Sequence, residues 1–213
     1  MGKRKLKHLL SLSLIFLLAF VSFGLTSCGE NNADDKSVNL SNSKVLVAYF
    51  SATGSTQKVA DYIGDFLGAE TFEIVPTIKY TTEDLNRNNA NSRVNFEHNA
   101  STSNDEASSY FRPAFNKNLN NLNDYDVIFL GYPIWWGEAP NIVYSFLEEY
   151  STELGGKTII PFCTSSSSEM GQSAKHLHSL VGENVTWLNG QRFSSSASQK
   201  TIEDWINRIN TAK

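Results

Sequence analysis

The chain has 213 residues, 18 basic against 22 acidic, a formal charge of −4 and a mean hydropathy of −0.29. This mildly acidic balance leaves no basic footprint for nucleic acid, and only two cysteines exclude a disulfide framework. With 40% hydrophobic and 19% charged residues, the length suits one domain with a substantial core rather than a disordered polymer.

In chain order, Lys3, Arg4, Lys5 and Lys7 precede an apolar stretch from about Leu9 to Phe23, short for a spanning helix and charged on one flank only. Residues 1–27 are therefore predicted to be a signal peptide. Its exit, Leu25-Thr26-Ser27-Cys28, resembles the lipobox of bacterial lipoproteins, in which cleavage precedes the cysteine and the cysteine takes lipid. An uncleaved anchor with a chance cysteine is the alternative. Residues 28–43, rich in Asn, Asp and Ser, read as a lipid-anchored flexible tether, and 44–213 as the folded domain, exported and held at the extracytoplasmic side of a bacterial membrane. The four leader cations precede Cys28 and no acidic residue does, so the mature chain is more acidic still. A lipidated Cys28 also leaves Cys163 without a disulfide partner.

The first predicted strand is the apolar run Val45 to Phe50. Directly behind it comes Ser51-Ala52-Thr53-Gly54-Ser55-Thr56, which opens onto a helical period at Val59, Ala60, Ile63, Phe66 and Leu67. Hydroxyls, a permissive glycine and the free amides of a helix N-terminus suit a phosphomonoester without any built-in cation. The same letters also suit a plain turn and helix cap. Walker A is excluded because Gly54 is followed by Ser55 and Thr56 with Lys58 out of place, and the dinucleotide pattern G-x-G-x-x-G is missing.

A second strand is predicted at Glu70 to Val75, where Phe72 and Ile74 alternate with polar residues. The segment Thr77 to Tyr125 is long for a crossover and reads as part helix, part surface loop, carrying Tyr80, Arg87, Arg93, Glu97, His98, Tyr110, Phe111, Arg112 and Pro113. Val127 to Leu130 is the third strand. Behind it Gly131-Tyr132-Pro133-Ile134-Trp135-Trp136-Gly137 places two adjacent indoles in a loop, which either plug the core, form a protein interface or meet a flat aromatic ligand. Pro140 suits a first helical residue before Ile142, Val143, Phe146 and Leu147. Thr158 to Cys163 forms the fourth strand, with Pro161 an anomaly for a central position.

Next, Ala174, Leu177, Leu180 and Val181 predict a helix ended by Gly182, and Asn184 to Asn189 the fifth strand. A last helix carries Ile202, Trp205, Ile206 and Ile209, with Thr201 and Asp204 at capping-box spacing; Trp205 is read as core. Continuous apolar runs belong at the centre of a sheet and alternating ones at its edges. The prediction is a doubly wound α/β fold with a five-stranded parallel sheet, order 2-1-3-4-5, whose ligand lies beyond the carboxyl ends of strands one and three.

Tyr49 to Thr56, Gly131 to Gly137 and Pro161 to Ser165 together resemble the flavodoxin-like family, with its Y-F-S-x-T-G-x-T, G-Y-P-I-W-W-G and P-F-C-T-S motifs, across nearly the whole domain. The resemblance implies FMN as cofactor: Ser51, Thr53, Gly54, Ser55 and Thr56 at the phosphate, Pro133, Ile134, Trp135 and Trp136 along one side of the ring with Trp135 stacking, and Thr164, Ser165, Ser166 and Ser167 on the other side or the pyrimidine edge. No metal is implied.

Relatives commonly read T-S-G-G-S-G where this chain has Thr164-Ser165-Ser166-Ser167-Ser168-Glu169; wherever positive φ is needed, that costs on the order of 1 kcal/mol or reshapes the loop. Glu138, Glu169 and the indoles would disfavour charge on a reduced ring and predict a low potential. Over the ring, the long insert is a candidate lid, with Arg93 or Arg112 meeting an anionic substrate or a nicotinamide phosphate and His98 a candidate proton donor. Cys163 reads as a small buried hydrophobe. Functionally, an oxidoreductase passing electrons through FMN to a quinone-like or other small acceptor is favoured over an electron shuttle to a redox protein partner and over a flavin-free binding lipoprotein.

Overall fold

Val45–Tyr49 forms β1 and sends its five buried side chains alternately into two cores, Leu46 and Ala48 on one face, Val45, Val47 and Tyr49 on the other. A strand buried on both faces must be covered on both, and that is the architecture seen in this computed structural model. The structure describes residues 37–102 and 111–210. The leader, Cys28 and Tyr110, with residues 28–36 of the expected tether, lie outside them. Beyond the last of these the chain is already docked before Lys44: Val38 N–H donates to the Ile209 carbonyl (2.9 Å), Leu40 N–H to Asn210 Oδ1 (3.1 Å), and Leu40 is buried.

After β1 come α1 (Ser55–Leu67), β2 (Glu70–Glu73), α2 (Arg93–Thr102), β3 (Val127–Pro133), α3 (Asn141–Glu149), β4 (Thr158–Thr164), α4 (Ser173–His176), β5 (Thr186–Trp187), β6 (Gln191–Phe193) and α5 (Gln199–Ile209). The strands are parallel in the order β2-β1-β3-β4-β5, as predicted, with β6 also on β4. α3 packs Ile142, Phe146 and Leu147 against one face; α1 and α5 cover the other with Val59, Ile63, Ile202 and Trp205. Trp205 is core, edge-on to Phe129 and Phe193. Each such large apolar side chain contributes about 2 kcal/mol by leaving water.

The fifth strand differs from expectation. It is split, β5 pairing Thr158 and Ile159 and β6 pairing Phe162 to Thr164, with the break opposite Pro161. The Ile159 carbonyl accepts from Leu188 N–H (3.0 Å), so by strand alternation the missing donor of Pro161 faces the same neighbour, where β5 has ended. Gly190 crosses there, and a Cβ on it would lie 2.5 Å from the Pro161 carbonyl oxygen. Pro161 itself stays in register with Leu130 of β3.

Three helix expectations are also corrected. Pro140 is the residue before α3 rather than its first, with extended backbone (φ −61°, ψ 146°). The predicted helix through Val181 is a four-residue α4 followed by a 3-10 turn at His178–Leu180; this tight turn lets His178 stack on Trp187 (4.3 Å), and only Leu177 of the stripe is fully buried. α5 is capped not by Thr201 but by Ser198, whose Oγ accepts from Thr201 N–H (3.2 Å).

The long insert is anchored at both ends. Asn116 N–H donates to the Val75 carbonyl and Thr77 N–H to the Ala114 carbonyl, while Val94, Phe115, Leu119 and Leu122 join the core. Much of what composition suggests is surface loop therefore contributes to packing.

Candidate functional site

The turn behind β1 ends in Gly54, left-handed at φ +85°, from which α1 starts. Its amide donates to Ser51 Oγ (3.1 Å), so Ser51 shapes the turn from within. The first-turn amides of α1 have no intrahelical acceptor and carry the positive end of the helix dipole. Thr56 is buried, and its Oγ1 lies 2.8 Å from Thr164 Oγ1 at the end of β4. That contact draws the first and third motifs together.

Between them the second motif closes the site. Ile134 N–H donates to the Thr164 carbonyl (2.9 Å), and Ser165 N–H to the Phe193 carbonyl (3.0 Å). The resulting cavity, about 480 Å3, is lined by Thr53, Ser55 and Thr56 of the first motif, Pro133, Ile134, Trp135 and Trp136 of the second, and Thr164, Ser165, Ser166 and Ser167 of the third and the loop behind it. Of the residues predicted for a ligand, Ser51 and Gly54 do not reach its surface; they build the turn behind it. Sequence reasoning missed Ala52, Leu85, Val94, Ser168 and Ser195 as lining residues and placed no role on Arg87, which also lines the cavity. Ser195 was legible only if the fifth strand had been seen to resume at Gln191, because the loop at its carboxyl end then falls at the site.

The serine loop carries no strained residue. Trp136 is the one non-glycine residue with positive φ among the described residues. In place of the glycines of relatives, Ser165 Oγ accepts from Ser167 N–H (3.3 Å) and Ser168 N–H (2.9 Å), so a side chain folds the loop. The cost expected there is not incurred.

The two indoles differ. Trp135, expected to stack on a ring, is 9% exposed and held edge-on by Phe50 (5.7 Å, 87°) and Tyr80 (5.6 Å, 84°). Trp136 is 37% exposed at the cavity wall, so it offers the larger accessible indole surface. Trp135 and Glu138 exchange two backbone hydrogen bonds (2.9 Å each) around Trp136 (φ +50°) and Gly137 (φ +85°), a type I′ turn. His98 stacks on Trp136 (4.7 Å, 14°), and burial holds its pKa below the ordinary histidine value against an opposing pull from Glu138.

The arginines expected at a substrate are engaged elsewhere. Arg93 Nε donates to Glu97 Oε1 (2.7 Å), and the guanidinium lies 4.0 Å from the Tyr80 ring centre; Arg112 Nε donates to Glu148 Oε1 (2.9 Å). Neither lines the cavity. Arg87 does, its guanidinium 5.2 Å from the Trp136 ring centre and its Nη2 3.5 Å from the Ile134 carbonyl oxygen. Glu138 and Glu169 are not on the cavity wall either; Glu138 Oε2 is 2.7 Å from His176 Nδ1. Cys163 is fully buried, and burial pushes its thiol up to about 12, so it serves as packing. Among the described residues no His, Cys, Asp and Glu cluster is able to hold a metal ion.

A doubly wound sheet with a hydroxyl-and-amide turn at its switch point, facing an indole wall, defines a flavodoxin-fold protein. Residues 44–209 match the family model described as Flavodoxin, and the chain belongs to that family. It is 40% identical to a provisionally assigned flavoprotein of Bacteroides eggerthii, over 79% of this chain and 98% of that one (TM-score 0.68). A similarly provisional flavoprotein of Bacteroides uniformis is 38% identical over 77% and 97% (TM-score 0.68). The structure of a Lactobacillus acidophilus flavoprotein in complex with FMN shares the fold at 17% identity, over 76% and 98% (TM-score 0.57). No curated protein matches the chain significantly.

Proposed function

We propose that the protein binds FMN in this cavity and acts as an oxidoreductase that passes electrons through the flavin to a quinone-like or other small acceptor. The observation that carries the reading is the single cavity in which the Thr53–Thr56 turn and the Trp135–Trp136 wall face one space. The donor set fits the group: hydroxyls of Thr53 and Ser55 with the α1 amides suit a phosphate dianion, and the aromatic wall suits a planar ring. The complex of the Lactobacillus acidophilus relative with FMN adds support through the shared fold. Bound there, FMN would supply reversible electron uptake; the protein's part is to hold, orient and shield it.

Export and lipid attachment at Cys28 are proposed on the leader sequence, with the folded domain facing outward from a bacterial membrane. Among the described residues no helix is long and apolar enough to cross one.

The test is an absorption spectrum of the protein as isolated, followed by titration with FMN and by assays of NADH or NADPH oxidation with a quinone. Flavin absorbance and quinone-dependent turnover are expected. Protein that takes up no FMN would overturn the reading.

A further inference from the structure

We propose that Arg87, the fully charged side chain among the described residues lining the cavity, favours the reduced, anionic form of the bound ring over the oxidised form, and so raises its potential. The inference rests on the FMN reading above.

The position of the charge is what carries it. Arg87 reaches the cavity from the insert and lies against Trp136 and the Ile134 carbonyl, on the indole wall, whereas the phosphate end is furnished by Thr53, Ser55 and Thr56 without a cation. Arg93 and Arg112 each hold a carboxylate, but no carboxylate lies in salt-bridge range of Arg87 among the described residues, so its charge is not cancelled locally. The acidic side chains nearest in sequence to the motifs, Glu138 and Glu169, stand off the wall. A neutral ring that takes up two electrons and one proton becomes a monoanion, and a guanidinium stays protonated throughout, so the attraction acts on the product side of that couple alone. Arg87 is solvent-exposed, which limits the effect by screening.

The experiment measures FMN affinity in both redox states, with dithionite as reductant, at low ionic strength, for the full chain and its Arg87→Ala and Arg87→Lys variants. For Arg87→Ala the expected outcome is nearly unchanged affinity for oxidised FMN and roughly fivefold weaker affinity for reduced FMN, equivalent to a midpoint lower by about 20 mV for a two-electron couple. Arg87→Lys should retain most of the wild-type ratio, since it keeps the charge. Equal weakening in both states, or no change in their ratio, overturns the proposal and makes Arg87 a general binding or packing residue. Absence of FMN uptake by the unaltered chain would instead overturn the FMN reading itself, so the two failures are distinguishable.

Discussion

Thr56 Oγ1 and Thr164 Oγ1, 108 residues apart in the chain, lie 2.8 Å apart and buried at the floor of the cavity. Each hydroxyl is the other's partner, which gives the contact an asymmetric energetics. Thr56→Val or Thr164→Val leaves one buried hydroxyl unpaired and should cost about 2 kcal/mol, whereas the double variant, with neither hydroxyl present, should lose clearly less than the sum of the two. Urea denaturation of all four proteins checks this; additive losses would show that the pair is not coupled.

Glu97 concentrates the polar contacts of the insert. It is 7% exposed, accepts from Tyr80 Oη (2.7 Å) and Arg93 Nε (2.7 Å), and burial nevertheless raises its pKa. Glu97→Ala should destabilise the fold by about 3 kcal/mol, because it removes the carboxylate partner of a partly buried guanidinium and a partly buried phenol. Glu97→Gln keeps an acceptor for Tyr80 and should cost less. Denaturant midpoints of the two variants rank them; equal losses would contradict the role given to Arg93.

Gly137 occupies the second left-handed position of the tryptophan turn. A Cβ there would meet nothing within 4 Å, so the cost of Gly137→Ala is one of backbone conformation alone, about 1 kcal/mol. Its measured stability should fall by that amount with flavin absent. An unchanged midpoint would mean that the turn relaxes.

The depressed pKa of His98 makes a signed prediction. The unfolded chain protonates near the ordinary value of 6.5 while the stacked, partly buried ring resists, so this contribution to stability is complete above that value and is lost as pH falls below it. Glu97, whose pKa is raised, runs the opposite way, its contribution being full below 4.5 and lost as pH rises. His98→Phe keeps an aromatic ring against Trp136 and removes the titration. Between pH 5 and 6.5 the variant should lose stability less steeply than the parent on acidification, and parallel curves would refute the assignment.

Cys163 should resist alkylation in the native state. With its side chain fully buried and its thiol raised to about 12, iodoacetamide at pH 8 is expected to modify it only after denaturation, as mass spectrometry would show.

Sheet order, the two faces of the core and the three loops of the site were legible in the sequence because each depends on local pattern. Val127 to Leu130 is continuously apolar because both its faces are covered, and Gly54 marks a left-handed turn because few other residues tolerate one. Tertiary structure alone decided which residues share a surface. Glu97 stands one helical turn beyond Arg93, a spacing the letters carry, but nothing local separates Arg87 from Arg112: both lie in one polar insert, and Glu148, which claims Arg112, is chosen by packing. Likewise Trp135 and Trp136 are chemically identical neighbours until the type I′ turn sends one among Phe50 and Tyr80 and leaves the other at the cavity wall. The break in the fifth strand was hidden for the same reason, since it is imposed by Pro161 on the strand beside it. Periodicity reports which way a side chain faces relative to its own element; the identity of what it faces is set by contacts that the chain makes only when folded.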